Sequence, residues 1–244
     1  MCGRFVSASP PDVIARYFTA DVVTEEVLEP SYNVAPTDPV YAVRERGNAR
    51  RVDVLHWGLV PTWARDRKVG SRMINARAET LSDRSAYRAA FQRRRCIIPA
   101  DGFYEWKRLA GASTGRPAKQ PMFIHRVDGA PFAFAGIWEA WRDPEGDPDA
   151  DIVRTCAIVT GAPNDAVAAV HDRMPVILPP DTWDPWLDPA NDDLDELRSL
   201  LVPVPSATIA MHPVSSLVND VRENGPELVA PVNPPAPATQ GTLL

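Results

Sequence analysis

Short apolar runs bounded by turn residues punctuate the chain, and most are too brief for helices. Residues 40–46 and 52–57 read as two strands joined by a turn at Gly47-Asn48. Cys96-Ile97-Ile98, Met122-Phe123-Ile124-His125, Phe132–Trp138, Ile152–Val159 and Thr208–Met211 read as further strands. Helical spacing appears between them. Ser9-Pro10-Pro11-Asp12 followed by Val13, Ile14, Tyr17 and Phe18 predicts a capped amphipathic helix. Ser85–Arg94 sets Tyr87, Ala90 and Phe91 on one face. Pro163–Val170, Asp181–Leu187 and Asp192–Leu201 predict short helices, the last opened by acidic residues that complement its dipole. Strands and helices interleave without a βαβ rhythm. The pattern therefore predicts an α+β fold: a single domain with a strongly curved, barrel-like mixed or antiparallel sheet flanked by short helices. Gly111–Gln120 and Asp143–Asp151 read as turn-rich hairpin tips. The domain is expected to span residues 2–229. The Pro-rich, apolar-poor stretch 230–244 is expected to be a disordered tail.

Composition narrows the class. With 244 residues, 45% of them hydrophobic, the chain can bury one sizeable core. No apolar run nears the roughly 20 residues of a membrane-spanning helix, and Met1–Phe5 lacks a secretory signal. A soluble cytoplasmic protein, with no membrane partner, is expected. Three cysteines, Cys2, Cys96 and Cys156, are too few for a disulfide framework. No CxxC or HExxH spacing occurs, so no metal site is expected. The net charge of −6 argues against nucleic acid, but its distribution does not. Trp63–Arg116 holds 13 Lys plus Arg against 5 Asp plus Glu. That block is either a phosphate-binding face or an ordinary solvated surface.

Cys2 is the first chemical signal. Removal of Met1 leaves an α-amine and a thiol on adjacent carbons. Their reference pKa values are about 7.7–8.0 and about 8.5, so both are partly deprotonated near neutrality. Such an aminothiol condenses with an aldehyde to an imine, on which the thiol closes a five-membered thiazolidine, an intramolecular step favoured by proximity. The plain alternative is a cysteine that merely follows the initiator.

Seven groupings change that balance: Met1-Cys2-Gly3-Arg4-Phe5, Ser31-Tyr32-Asn33-Val34-Ala35-Pro36, Trp57-Gly58-Leu59-Val60-Pro61, Ile74-Asn75-Ala76-Arg77-Ala78-Glu79-Thr80, residues 95–106 (RCIIPADGFYEW), His171-Asp172-Arg173-Met174-Pro175 and His212-Pro213-Val214-Ser215. In order and from residue 2 to about 230, they resemble the SRAP (SOS response-associated peptidase) family, proteins that attach covalently to abasic sites in single-stranded DNA. The resemblance implies single-stranded DNA containing abasic sites as partner; no cofactor is expected to be needed, and a monomer is the simplest state. It implies a thiazolidine cross-link at Cys2, with weak AP-lyase activity and a peptidase-like label attached to the family.

It also implies roles. Cys2 would supply both nucleophiles. Glu105, between aromatics, would be desolvated and serve proton transfers. His171 would shuttle a proton at the sugar. Asn75 would orient the amine or a sugar oxygen. Arg4 lies two residues from Cys2, Arg77 two from Asn75 and Arg173 two from His171, a phosphate clamp. Trp57 and Trp63 are candidates for base stacking or for the core. Some relatives carry another aromatic after the position of Trp63, where this chain has Ala64. Asn33, Pro36 and Thr160 match positions lining the DNA groove. His56, His125 and His212 read as structural. Two other readings stay open: a glutaminase-like N-terminal-nucleophile amidohydrolase, and a non-covalent single-stranded DNA binding module.

Overall fold

Sheet formation follows the apolar runs, and the alternation within each strand sorts most of the interior into two large cores, with two smaller clusters beside them. The computed structural model describes residues 2–47, 49–109, 119–147 and 152–233. The first half contains β1 (Phe5–Ser7), α1 (Pro11–Tyr17), β2 (Val22–Val23), β3 (Ser31–Val34), β4 (Pro39–Arg46), β5 (Ala49–Trp57), β6 (Asn75–Arg77), α2 (Ser85–Arg93) and β7 (Arg95–Ala100). The second contains β8 (Gly102–Arg108), β9 (Lys119–Arg126), β10 (Phe132–Trp141), β11 (Val153–Gly161), α3 (Asp165–Ala168), β12 (Met174–Pro175), α4 (Trp183–Leu187), α5 (Leu194–Ser199) and β13 (Ile209–Pro213). Asn48, residues 111–118 and 148–151 of the expected hairpin tips, and residues 234–244 of the expected tail lie outside the described residues.

Strands β11-β10-β7-β4-β5 run side by side, and β5 returns to β11 in parallel register, Thr155 opposite His56. This closes a five-strand barrel. A second sheet, in the order β13-β9-β8-β1-β3, packs against it. Val40, Leu55, Trp57, Cys96, Ile98, Phe134 and Ile158 join Phe5, Phe103 and Ile124 of the second sheet in one core. Their strand neighbours Tyr41, Val43, Val52, Ile97, Ala135 and Val159 face the other core, with Ile14 and Phe18 beside α1's strand-facing side and Phe91, Trp183 and Trp186. Each fully buried large side chain contributes about 1.5–3 kcal/mol, so this two-sided burial carries the fold.

The helices match the expected segments with two differences. No side chain caps α1; Pro10 stands at the cap and Pro11 opens the helix. Proline presets the helical φ there and has no N–H to satisfy. Ser9 is engaged elsewhere, its Oγ donating to Asp101 Oδ1 at 2.6 Å. The segment 163–170 is helical only over Asp165–Ala168, capped by Asn164. The acidic opening of α5 is as expected, Asp193 accepting from the N–H groups of Asp195 and Glu196.

Gly58 ends β5 with φ 140°, where a Cβ would lie 2.7 Å from the carbonyl oxygen of Gly70. Only glycine permits this crossing. It presses the 3-10 turn Arg67–Arg72 against the end of the strand. Beyond the last helical turn, Val232 N–H donates to Pro213 O at 2.9 Å. Among the described residues, no helix is long and apolar enough to cross a membrane.

Candidate functional site

β1 runs antiparallel to β8 with Phe5 opposite Phe103, and Tyr104 N–H donates to Arg4 O at 3.0 Å. Continuing that register brings Glu105 beside the start of the chain. β6 lies along β11, with Asn75 opposite Ile158. From there Asn75 Nδ2 donates to Cys2 O at 2.7 Å. The amide oxygen of Asn75 is shielded and has no hydrogen-bond partner. Two strand pairings, remote in sequence, thus converge on Cys2.

In this chain, which carries Met1, Cys2 is fully buried, its Sγ 3.8 Å from Arg4 O. Burial, and then the nearby Glu105 carboxylate, push its thiol pKa well up. Glu105 is itself buried, and that desolvation raises its pKa. The positive chain terminus and then His171 pull the other way. His171 Nε2 sits 3.9 Å from Glu105 Oε2. Its Nδ1 accepts the backbone N–H of Arg173 at 3.0 Å and lies 2.9 Å from the exposed Asp172 carboxylate. The ring thus spans from the Asp172–Arg173 segment to the buried Glu105 carboxyl. Cys2, Asn75, Glu105 and His171 are brought together around one point. Among the described residues, no group of three or more His, Cys, Asp or Glu is placed to hold a metal ion.

The arginines form its rim. β11 carries Thr160 opposite Arg77 on one side and opposite Pro175 on the other. Arg77 is exposed. Arg173 Nε donates to Thr160 Oγ1 at 3.4 Å, so buried Thr160 supports Arg173 from beneath. The Arg173 fork closes on Glu79, Nη1 and Nη2 lying 3.1 and 2.9 Å from the two carboxylate oxygens. The same hydrogen bonds hold the Glu79 pKa below its ordinary value. Arg4 is half-buried and donates to Asn33 Oδ1 at 2.7 Å and Val218 O at 2.9 Å.

Other expected contacts sit deeper. Asn33 is buried, and its Nδ2 donates at 2.9 Å to the carbonyls of both Asp220 and Glu223. It tethers that loop one layer behind Arg4. Trp57 is corrected from a stacking candidate to a core residue. It is fully buried, its ring edge packs on Phe5 at 5.0 Å, and its indole N–H donates to Ile74 O at 2.8 Å. Trp63 keeps 63% of its surface exposed and has a face to offer. Pro36 is half-buried beside exposed Thr37. Ala64 is buried, its carbonyl accepting the Trp141 indole N–H, so it is no stacking position. His125 and His212 pack on Phe123 and on each other.

Sequence reasoning gave no role to Glu79 or to the loop 218–223. The signal for Glu79 was a carboxylate two residues past Arg77, but its partner lies 94 residues away.

The SOS response associated peptidase (SRAP) family profile matches residues 1–221. The chain is 46% identical over 230 residues to the abasic site processing protein YoqW of Bacillus subtilis, covering 94% of this chain and 99% of that one. It is 31% identical over 242 residues to the abasic site processing protein YedK of Escherichia coli, covering 95% and 100%. Among solved structures, a protein from Bacteroides thetaiotaomicron shares the fold, with a TM-score of 0.82 at 24% identity over 95% of this chain and 100% of that one. A phage-related protein from Bordetella bronchiseptica superposes with a TM-score of 0.65 at 33% identity, over 87% and 94%. A profile match of that length, on a fold that gathers the residues of the ordered motifs around Cys2, means that the chain belongs to the SOS response associated peptidase (SRAP) family.

Proposed function

We propose that this chain captures abasic sites in single-stranded DNA by forming a thiazolidine between Cys2 and the ring-opened sugar. The observation that carries this reading is the convergence of Asn75, Glu105 and His171 on Cys2. The names of its relatives, abasic site processing proteins, point to the same substrate.

The reaction begins once Met1 is removed. The α-amine of Cys2 attacks the aldehyde carbon C1′, and the resulting carbinolamine loses water to give an imine. The thiol then adds to the imine carbon, forming the C–S bond, and its proton passes to the ring nitrogen. One water leaves overall. Asn75 holds the Cys2 carbonyl, and its unpartnered amide oxygen can accept a hydrogen bond from the amine. Glu105, raised by burial, donates a proton to the departing hydroxyl and takes one from the thiol. His171 relays protons between Glu105 and the sugar. Holding both nucleophiles on one residue makes ring closure intramolecular, an advantage of about 10⁵–10⁸ M in effective molarity for well-oriented groups. Cys2 is buried in the Met1-bearing chain, so the thiol must be uncovered before the ring can close.

Arg77 and Arg173, with Arg4 behind them, hold phosphates flanking the lesion, and Trp63 stacks on a base. The glutaminase-like alternative uses the same cysteine, but a rim of arginines suits a polyanion rather than glutamine. An imine that escapes ring closure acidifies its C2′ proton, and β-elimination of the 3′ phosphate gives weak lyase activity. The protein acts as a cytoplasmic monomer in this reading.

Intact-mass analysis of the processed protein mixed with an abasic single-stranded oligonucleotide tests it. The expected product is a one-to-one adduct lighter than the sum by one water, lost in Cys2→Ala and in chains retaining Met1. An adduct of full yield in Cys2→Ala overturns the proposal.

A further inference from the structure

The crossing of Gly58 and Gly70 leaves a second recess, separate from Cys2. A cavity of about 500 Å³ opens between the 3-10 turn Arg67–Arg72 and Thr37. Its volume lies in the range of small-molecule sites. Gly58, Val60 and Gly70 give it flat apolar walls. Arg67 and Lys68 stand exposed at its mouth. Asp66 also lines it, its Oδ1 accepting the Lys68 N–H at 2.8 Å, and its charge offsets one of the two cations. His56 also lines it, half-buried at the end of β5, with its Nδ1 shielded from the opening.

The recess shares Trp57 with the wall of the site, since Trp57 lines it and its indole N–H reaches Ile74 O, next to Asn75. Pro36 precedes its Thr37 wall, and exposed Trp63 lies on the segment leading into the turn. An abasic residue has no base of its own, so the register of a damaged strand must be read from its neighbours.

We propose that this cavity receives one unpaired nucleobase of the bound strand, with the adjoining phosphates on Arg67 and Lys68; this rests on the reading that the chain binds single-stranded DNA. The apolar walls accept the faces of the base, and the two cations neutralise its backbone. The ligand chemistry is that of a nucleotide, and the strand is its source.

The test uses undamaged oligonucleotides and Cys2→Ala protein, so that no covalent step enters. Each base in turn is replaced by a tetrahydrofuran spacer. One position is expected to lose about tenfold in affinity, the loss typical of one stacked base. In Ser71→Trp, which fills the rim of the cavity, the same spacer should cost less than about twofold, because the base is already shut out. Equal losses at every position, or an undiminished loss in Ser71→Trp, overturn the proposal. The His56 ring resonances of wild-type protein provide a readout that needs no variant. A shift with oligonucleotide alone assigns the cavity to the strand. A shift also with deoxyadenosine monophosphate extends it to the free nucleotide, and no shift with either overturns it. Adduct formation is read separately by mass, so its failure is distinct from failure of the cavity.

Discussion

His171 Nε2 faces Glu105 Oε2 at 3.9 Å while its other ring nitrogen is fixed by the backbone N–H of Arg173. The imidazole therefore bridges the Asp172–Arg173 segment and the buried carboxyl, one ring nitrogen towards each. Replacing His171 by Gln keeps a polar group of similar reach but removes the relay. Adduct formation should slow by about a hundredfold, the low end of general acid–base contributions, with little change in affinity for undamaged strands. Quench-flow time courses resolved on denaturing gels measure both; a wild-type rate in His171→Gln removes it from the reaction.

The buried Glu105 carboxyl also links stability to pH. Its folded-state pKa is raised above the ordinary 4.5 by burial. The stabilisation from protonating it is complete below that ordinary value and is lost as pH climbs through the raised one. Glu105→Gln mimics the protonated form. It should melt with the wild type at about pH 4 and above it at about pH 8, by about 2–4 °C for each kcal/mol of relieved desolvation in a chain this size. A variant less stable than wild type at the higher pH contradicts the direction. The same variant should form adduct slowly, which separates the stability effect from the chemical one.

Asn75 tests whether Cys2 is held or merely covered. Its amide donates to the Cys2 carbonyl at 2.7 Å. Asn75→Asp keeps the shape, removes the donor and sets a carboxylate against that carbonyl. Stability should fall by at least the roughly 0.5–1.5 kcal/mol of one hydrogen bond, and cross-linking should fall with it. Asn75→Ala, which removes the donor without adding charge, should be the milder of the two. Urea unfolding and adduct yield rank the pair, and the reverse order rejects this account.

All three cysteines are buried, and burial raises each thiol, Cys96 to about 12. A chain that keeps Met1 should therefore resist maleimide in native buffer, and any labelling gained on removal of Met1 should fall at Cys2. Peptide mapping of the labelled site decides it; labelling at Cys96 or Cys156 instead contradicts the burial argument.

Strands bounded by turns were legible because local alternation and burial agree, as in β4, β5 and β10. β1, β3 and β8 were not, since Phe5–Ser7 has no period of its own and becomes a strand only by pairing with Gly102 and Phe103, far along the chain. The two tryptophans show the same limit at the site. Trp57 continues the inward side of Leu55 and is core, whereas Trp63 lies past the strand end and stays exposed. Residue type alone made both of them candidates. Cys2, Asn75, Glu105 and His171 were legible as motif positions, but their meeting point depends on β6 and β12 flanking β11, which no local pattern encodes.

Glu79 shows what such long-range pairing hides. Its two carboxylate oxygens occupy the fork of Arg173, the geometry a phosphate would take. Glu79 is 54% exposed, so the pair is partly screened and a strand can displace it. If Arg173 holds phosphate, the carboxylate competes with DNA for the same guanidinium. Glu79→Gln should then tighten non-covalent binding of undamaged single strands by about threefold, because an exposed ion pair contributes about 0.2–1 kcal/mol. Arg173→Ala should weaken binding and lower the slope of log affinity against log salt by about 0.7, one phosphate's share for single strands. The double variant fixes the order of events: without Arg173, removing the Glu79 charge has no fork to release, so its gain should shrink to the general effect of one fewer negative charge. Salt titrations by fluorescence anisotropy with Cys2→Ala protein give all three numbers. A gain in Glu79→Gln that survives intact in the double variant assigns the effect to net charge and removes Glu79 as the occupant of a phosphate position.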